Sequence, residues 1–417
     1  GIALLSIYVL GVWMAGKGIC YLEKKAKYKR KVCFMTLSIL AVTGILIWYK
    51  YYNFIAENLS HFFGISLAMS QWIVPLGISF ITFTAISYLV DVFRGDAEAG
   101  SLLDVFLYLS FFPKVISGPI VQWKDFQRQT VHRRVDETEF LDGLNRIMIG
   151  FAKKVILADS FGAVISKIDP YIGVGMDVPT AWLFAFFYMM QIYYDFSGYS
   201  DIAIGLAQLF GFHFKENFQF PYRSKSITEF WRRWHVSLST WFRDYLYFPL
   251  GGSRCSKLLT YRNLVIVFVL CGLWHGAQWT FLIWGLFHGC LLILERTSFA
   301  TLLSSLPVLV QRCYCMLMVV FGWVFFRAND LSQASNYFQS MFGFNGFEYQ
   351  NSFGVLNLAV LLVGLAISLF SKQLFNNSET EVRSCNVYLF GVNVALVLLS
   401  MAILYTGARN PFIYFNF

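Results

Sequence analysis

Six histidines, His61, His132, His213, His235, His275 and His288, are the side chains in this sequence best suited to move protons near neutral pH. Three need no chemical role: His61 and His132 fall in or near loops, and His213 closes an apolar stretch. His275 differs. It stands in Gly272-Leu273-Trp274-His275-Gly276-Ala277, within an apolar run, where a neutral imidazole still needs hydrogen-bond partners and the flanking glycines let backbone approach closely. An ionisable group at membrane depth is a functional candidate by default; the competing reading is a structural histidine satisfied between packed helices. His288, in Phe287-His288-Gly289, is the weaker case because it nears the loop marked by Glu295 and Arg296. No pair of histidines has the i, i+4 spacing and carboxylate partner of a metal site. Gly251-Gly252 lacks the Lys-Ser/Thr of a phosphate loop, and there is no GxSxG elbow. The eight cysteines form no CxxC pair, and Cys33, Cys271 and Cys290 sit in apolar runs, where they read as small membrane-embedded side chains rather than a disulfide or zinc framework. What remains is one or two buried imidazoles suited to act as a general base on a hydroxyl.

His235 belongs to the most unusual stretch, residues 223–254, RSKSITEFWRRWHVSLSTWFRDYLYFPLGGSR. Ser226 followed by Glu229 has the spacing of a capping box and predicts a helix start there. Ile227, Phe230, Trp231, Trp234, Leu238 and Trp241 recur at helical spacing, which predicts one helix with Thr228, Arg232, His235 and Ser239 on another face. An interfacial amphipathic helix would explain the Trp and Arg content. It would not explain a histidine between Trp234 and the Ser237-x-Ser239 pair.

The elements that must hold these residues are membrane elements. Of 417 residues, 57% are hydrophobic and 14% charged, against roughly 25% charged in a soluble domain. Apolar runs of about 20 residues recur along the chain, which predicts a polytopic membrane protein of about ten to twelve spans. The net charge of +9 gathers in short loops and fits the positive-inside bias better than nucleic-acid binding. Lys17, Lys24, Lys25, Lys27, Lys29, Arg30 and Lys31 mark a loop expected on the cytoplasmic side, as is the region 223–233. Loops at 169–177 and 329–349 lack basic clusters and are expected on the opposite side. Pro75 and Gly77 interrupt the run 72–92, and Pro113 and the Ser117-Gly118-Pro119 triplet interrupt 102–121. Broken helices at membrane depth are tolerated where protein or a cavity satisfies the freed backbone, so both segments should line an interior. The runs 181–212 and 264–294 exceed one span and carry polar residues in their middles: Gln191, Asp195, Ser197 and Asp201 in one, His275 and His288 in the other. With no internal repeat, residues 1–417 are expected to form a single integral membrane domain. The chain opens at Gly1 inside an apolar stretch without an initiator Met or a recognisable signal peptide, so part of the first span is expected to be missing.

Four runs carry a resemblance: 193–201 (YYDFSGYSD), 230–252 (FWRRWHVSLSTWFRDYLYFPLGG), 273–289 (LWHGAQWTFLIWGLFHG) and 411–417 (PFIYFNF). Together they resemble the membrane-bound O-acyltransferase family, and within it the bacterial polysaccharide O-acetylating branch typified by the membrane subunit of alginate O-acetyltransferase. The resemblance implies an all-α ring of helices, with broken or re-entrant segments, around a central tunnel. It maps the family's invariant histidine onto His275 and a second polar position onto His235. Asp195, Trp231, Arg232, Trp234, Ser239, Arg243 and Trp274 are the expected substrate-binding residues, with no metal and no permanently bound cofactor. The implied reaction moves an acetyl group from a cytoplasmic thioester, acetyl-CoA, toward a polysaccharide of the cell envelope, across the bacterial cytoplasmic (inner) membrane. An extracellular SGNH-hydrolase-like acetyltransferase is the expected partner. The rivals are D-alanyl transfer to teichoic acid from a carrier protein, and a transporter or flippase.

Overall fold

Breaks in the apolar runs organise this chain as much as their lengths do. The computed structural model describes residues 2–405 apart from 132, 173, 347, 348, 352 and 376–386. His132 and the 411–417 run therefore lie outside the described residues. The regular elements of those residues are all helices, with no strand and a single isolated bridge between Met176 and Tyr349. Among the described residues, four helices are long and apolar enough to cross a membrane: Ile2–Lys24, Tyr28–Phe63, Lys257–His275 and Val308–Arg327. A fifth counts if Trp279–Leu294 and Phe299–Ser305, bent by 77°, form one span. This is a multi-pass membrane protein. The described elements meeting that criterion are fewer than the ten to twelve runs counted from composition, because breaks divide several runs into shorter helices.

Two compact units emerge, one from the start to Val135 with Ala207–Phe214, the other from Asp136–Leu206 with the chain from Lys215 onward. In the first, the run 72–92 becomes helical only at Ile78, after Gly77. The run 102–121 forms Leu102–Ser110 and the single turn Phe112–Val115, divided at Phe111. Beyond the second break, the Tyr108 hydroxyl donates to the Val121 carbonyl at 2.7 Å and the Lys124 N–H donates to Asp91 at 3.0 Å, whereas Trp72, Ile73 and Leu76 beside the first break are exposed, so that segment does not line an interior as expected. Trp123, fully buried between Tyr88 and Tyr108, centres this unit.

In the second unit, the part of the helix Val178–Leu209 up to Leu206 carries both acidic residues of the run 181–212. Neither is isolated. Lys154 reaches Asp195 and Asp159, each at 2.7 Å, while Lys153 and Arg146 hold Asp201. The run 264–294 is two helices, Lys257–His275 and Trp279–Leu294, parted at residues 276–278. They pack antiparallel through facing glycines. A Cβ on Gly272 would meet the Phe281 carbonyl oxygen at 2.2 Å, and one on Gly285 would meet the Phe268 carbonyl oxygen at 2.2 Å. The loops expected to share a face do touch: Asp177 N–H donates to the Tyr349 carbonyl, and the Tyr171 and Tyr349 rings stack at 3.7 Å.

Candidate active site

Ser226 begins the 223–254 stretch as expected, its hydroxyl accepting from the Glu229 N–H at 3.0 Å. Glu229 completes only half of a capping box, since its carboxylate takes the Lys225 N–H instead. Burial pushes the Glu229 carboxyl up, but the Lys225 N–H and the Arg233 guanidinium outweigh it and hold the group below its ordinary value. A second cap comes from far along the chain. Glu295 accepts the Ile227 N–H at 2.6 Å, the Thr228 N–H at 2.8 Å and the Thr228 hydroxyl at 2.7 Å. The end of Trp279–Leu294 is thereby tied to the start of Ile227–Arg233.

The single helix expected through His235 is not formed. Ile227–Arg233 stops, and Val236–Phe242 starts anew with His235 as its N-cap at φ 44°, ψ 53°, the left-handed region that a non-glycine residue rarely enters. Asn217 imposes the break. Its carbonyl accepts the Val236 N–H at 3.0 Å, and its side-chain oxygen accepts the Ser237 N–H at 3.1 Å and the Ser237 hydroxyl at 2.9 Å. Gln219 N–H donates to the Arg233 carbonyl at 2.9 Å on the other side of the break. Together these bonds satisfy backbone groups that a continuous helix would have paired internally, so the periodic apolar pattern does not prevail.

The break aims His235 inward. Its Nδ1 lies 3.2 Å from Asn217 Oδ1, an atom already shown to be an acceptor by the Ser237 amide. The neutral ring therefore carries its proton on Nδ1 and its lone pair on Nε2. That Nε2 is buried and has no hydrogen-bond partner among the described residues. Phe196 packs against the ring at 4.6 Å and Trp274 at 6.1 Å.

Trp274 joins the two expected histidines. Its ring is 4.9 Å from His275, which lies 5.1 Å from both Trp284 and Phe326. His275 is the last residue of its helix, directly before the break at residues 276–278. Beyond Trp284 lies His288 at 5.1 Å, fully inside, with the Trp231 indole N–H donating to its Nδ1 at 3.3 Å. Three imidazoles and three indoles thus form one buried chain, His235–Trp274–His275–Trp284–His288–Trp231.

Of the expected substrate-binding residues, Trp231 and Trp274 enter this chain. Trp234 packs beside it against Trp323 at 5.0 Å, and the Ser239 hydroxyl is buried without a partner among the described residues. Asp195 points into its pair with Lys154, next in sequence to the Phe196 that touches His235. Arg232 is exposed, and Arg243, also exposed, pairs with Asp244 at 2.7 Å; neither joins the imidazole chain. Sequence reasoning undervalued His288 and missed Asn217. The i, i+4 relation of Trp284 and His288 on a helix whose Gly285 faces a neighbour was a usable signal for the first. Nothing local marks Asn217.

Residues 94–332 match the model of the membrane-bound O-acyltransferase family, and this span contains all three clustered histidines. The chain belongs to that family. It is 40% identical over 364 residues to the "Probable alginate O-acetylase AlgI" of Pseudomonas aeruginosa, an alignment covering 84% of this chain and 69% of that protein. It is 31% identical over 456 residues to the "Peptidoglycan O-acetyltransferase" of Helicobacter pylori, covering 94% of this chain and 83% of the relative. The "Teichoic acid D-alanyltransferase" of Streptococcus thermophilus is 32% identical over 234 residues, 53% of this chain and 56% of that protein. Membership makes this chain an acyltransferase and removes the transporter reading.

Proposed function

We propose that this protein transfers an acetyl group from a cytoplasmic thioester, acetyl-CoA, toward a polysaccharide of the cell envelope, within the bacterial cytoplasmic membrane. The observation that carries the reading is the buried cluster in which Trp274 stands between His235 and His275. His275 acts as general base. It takes the proton of the acceptor hydroxyl as the oxygen attacks the thioester carbonyl; the new C–O bond forms, the C–S bond breaks, and the departing thiolate takes up a proton. His235 positions the donor. A second reading exchanges the two roles, and the free lone pair on His235 Nε2 favours it.

Two relatives named for O-acetylation align with more than four-fifths of this chain, the D-alanyltransferase with about half, which supports acetyl over D-alanyl transfer. Lipid does not transmit the charged nucleotide of acetyl-CoA, so a ring of ten to twelve spans around a tunnel would let the small acyl group reach the far face alone. An extracellular SGNH-hydrolase-like acetyltransferase completes delivery to the polymer. The test is acetyl transfer from labelled acetyl-CoA by the purified protein in proteoliposomes, with a D-alanyl carrier protein as competitor. Transfer of D-alanine with none of acetyl would overturn the assignment.

A further inference from the structure

We infer that Arg296, Ser253 and Tyr247 form a phosphate-binding site that takes the phosphates of the thioester donor. This rests on the acyl-transfer reading above and names where that donor is held.

Arg296 is exposed, and its Nη1 donates to the Tyr247 and Ser253 hydroxyls, each at 3.2 Å. Those hydroxyls lie 2.8 Å apart, so one donates to the other and one O–H is left over. Three of the five guanidinium N–H groups are left over as well. Among the described residues no acid pairs with Arg296, nor with the exposed Arg254 and Lys257 that follow Ser253. The neighbouring Glu295 carboxylate is turned onto Ile227 and Thr228. A guanidinium fork with a hydroxyl beside it and further cations near is the donor set that recognises a phosphate. The positive-inside bias accounts for Arg and Lys in this loop but not for its construction. Gly251 at φ 101° and Gly252 at φ 57° reverse the chain so that Ser253 returns to Tyr247. Asn263, fully buried in the helix Lys257–His275, fixes the turn by donating to the Leu250 and Gly252 carbonyls at 3.1 and 3.2 Å. The Gly251, Gly252 and Arg254 N–H groups are engaged by carbonyls within the turn, so a ligand is met by side chains.

The position suits the donor. Glu295 is bonded to the start of Ile227–Arg233, so Arg296 lies on the face expected to be cytoplasmic. It stands twelve residues beyond Trp284, whose ring is 5.1 Å from His275. About 18 Å along the helix and its end therefore separates Arg296 from the neighbourhood of the proposed base. The extended pantetheine arm between a nucleotide's phosphates and its thioester is of that order. Phosphates held at Arg296 keep the charged nucleotide at the surface while the thioester reaches inward.

The test is steady-state acetyl transfer in phosphatidylcholine proteoliposomes, from acetyl-CoA and from S-acetylpantetheine, which lacks the phosphates. Arg296→Gln should raise the KM for acetyl-CoA about tenfold, the lower end for a charge-assisted contact because the site is exposed. Its KM for S-acetylpantetheine should match that of the parent. Arg296→Lys, which keeps the charge but not the fork, should fall between. A parent KM for acetyl-CoA in Arg296→Gln, or an equal rise for both donors as a merely structural role would give, would overturn the inference. So would a defect seen only when anionic phosphatidylglycerol is added to the vesicles, which would give the site to a lipid headgroup. Binding of adenosine 3′,5′-bisphosphate to the detergent-purified protein separates the site from the reaction. Binding that Arg296→Gln weakens about tenfold, in a protein that transfers no acetyl group, would uphold the phosphate site and strike the acyl-transfer reading. Acetyl transfer by Arg296→Gln with the parent KM would strike the site alone.

Discussion

Asn217 Oδ1 holds His235 Nδ1 at 3.2 Å while accepting the backbone N–H of Ser237 at 3.1 Å, so one amide oxygen sets both the histidine's tautomer and the break in the helix that presents it. Asn217→Ala should therefore cost activity and stability together. Leaving the half-buried Ser237 amide without its acceptor costs about 1 kcal/mol, and His235 would be released from its strained conformation. Thermal unfolding in detergent and acetyl transfer should both fall, the latter at least tenfold, as about 1.4 kcal/mol of lost transition-state stabilisation would give. A variant that loses stability but keeps parent kcat would detach Asn217 from the chemistry.

His275→Gln should lose at least ~10² in transfer while remaining inserted, since general-base catalysis contributes ~10²–10⁴. His235→Ala should be less damaged. The measurement is acetyl transfer in membranes at matched expression. The reverse ranking would give the base role to His235.

Glu295 links two elements that sequence separates by more than sixty residues, through its bonds to Ile227 and Thr228. Glu295→Ala leaves those helix N-terminal donors without their partner and should lower stability by about 1–3 kcal/mol. Glu295→Gln keeps one acceptor and should fall between. Melting temperatures of the three proteins decide it, with an unchanged Ala variant as the contrary result.

Gly272→Val should prevent the Lys257–His275 and Trp279–Leu294 pair from closing, because even the Cβ would land 2.2 Å from the Phe281 carbonyl oxygen. The check is the yield of monodisperse protein after detergent extraction. Parent-like yield and activity would contradict the packing described.

A cysteine placed at Lys27 should stay unlabelled by an impermeant thiol reagent in intact cells and react after permeabilisation, because short Lys-rich loops are retained on the cytoplasmic side. Labelling of intact cells would invert the orientation.

Composition and local chemistry alone established the membrane class, the start of a helix after Ser226, the interruptions near Pro75 and Phe111, and His275 as the foremost candidate. Each depends on a residue's own type or on neighbours a few positions away, which is the range over which helix periodicity, capping and proline geometry act. The N-cap at Ser226 appeared where the spacing put it, although its partner Glu229 turned to Lys225. Only the fold decided the rest. Residues 227–241 contain no Gly or Pro and keep a helical apolar pattern throughout, so nothing in them announces the break at His235. The alternative hydrogen bonds come from Asn217, eighteen residues back, and carry no local signature. His288 looked like a helix end approaching a charged loop. Packing turned it inward, because Trp231 arrives from another helix to pair one ring nitrogen, and Gly322, where a Cβ would meet the other at 2.7 Å, lets a further helix pack closely against the ring. Proton positions on imidazoles are set by such partners, and partners are a property of tertiary structure.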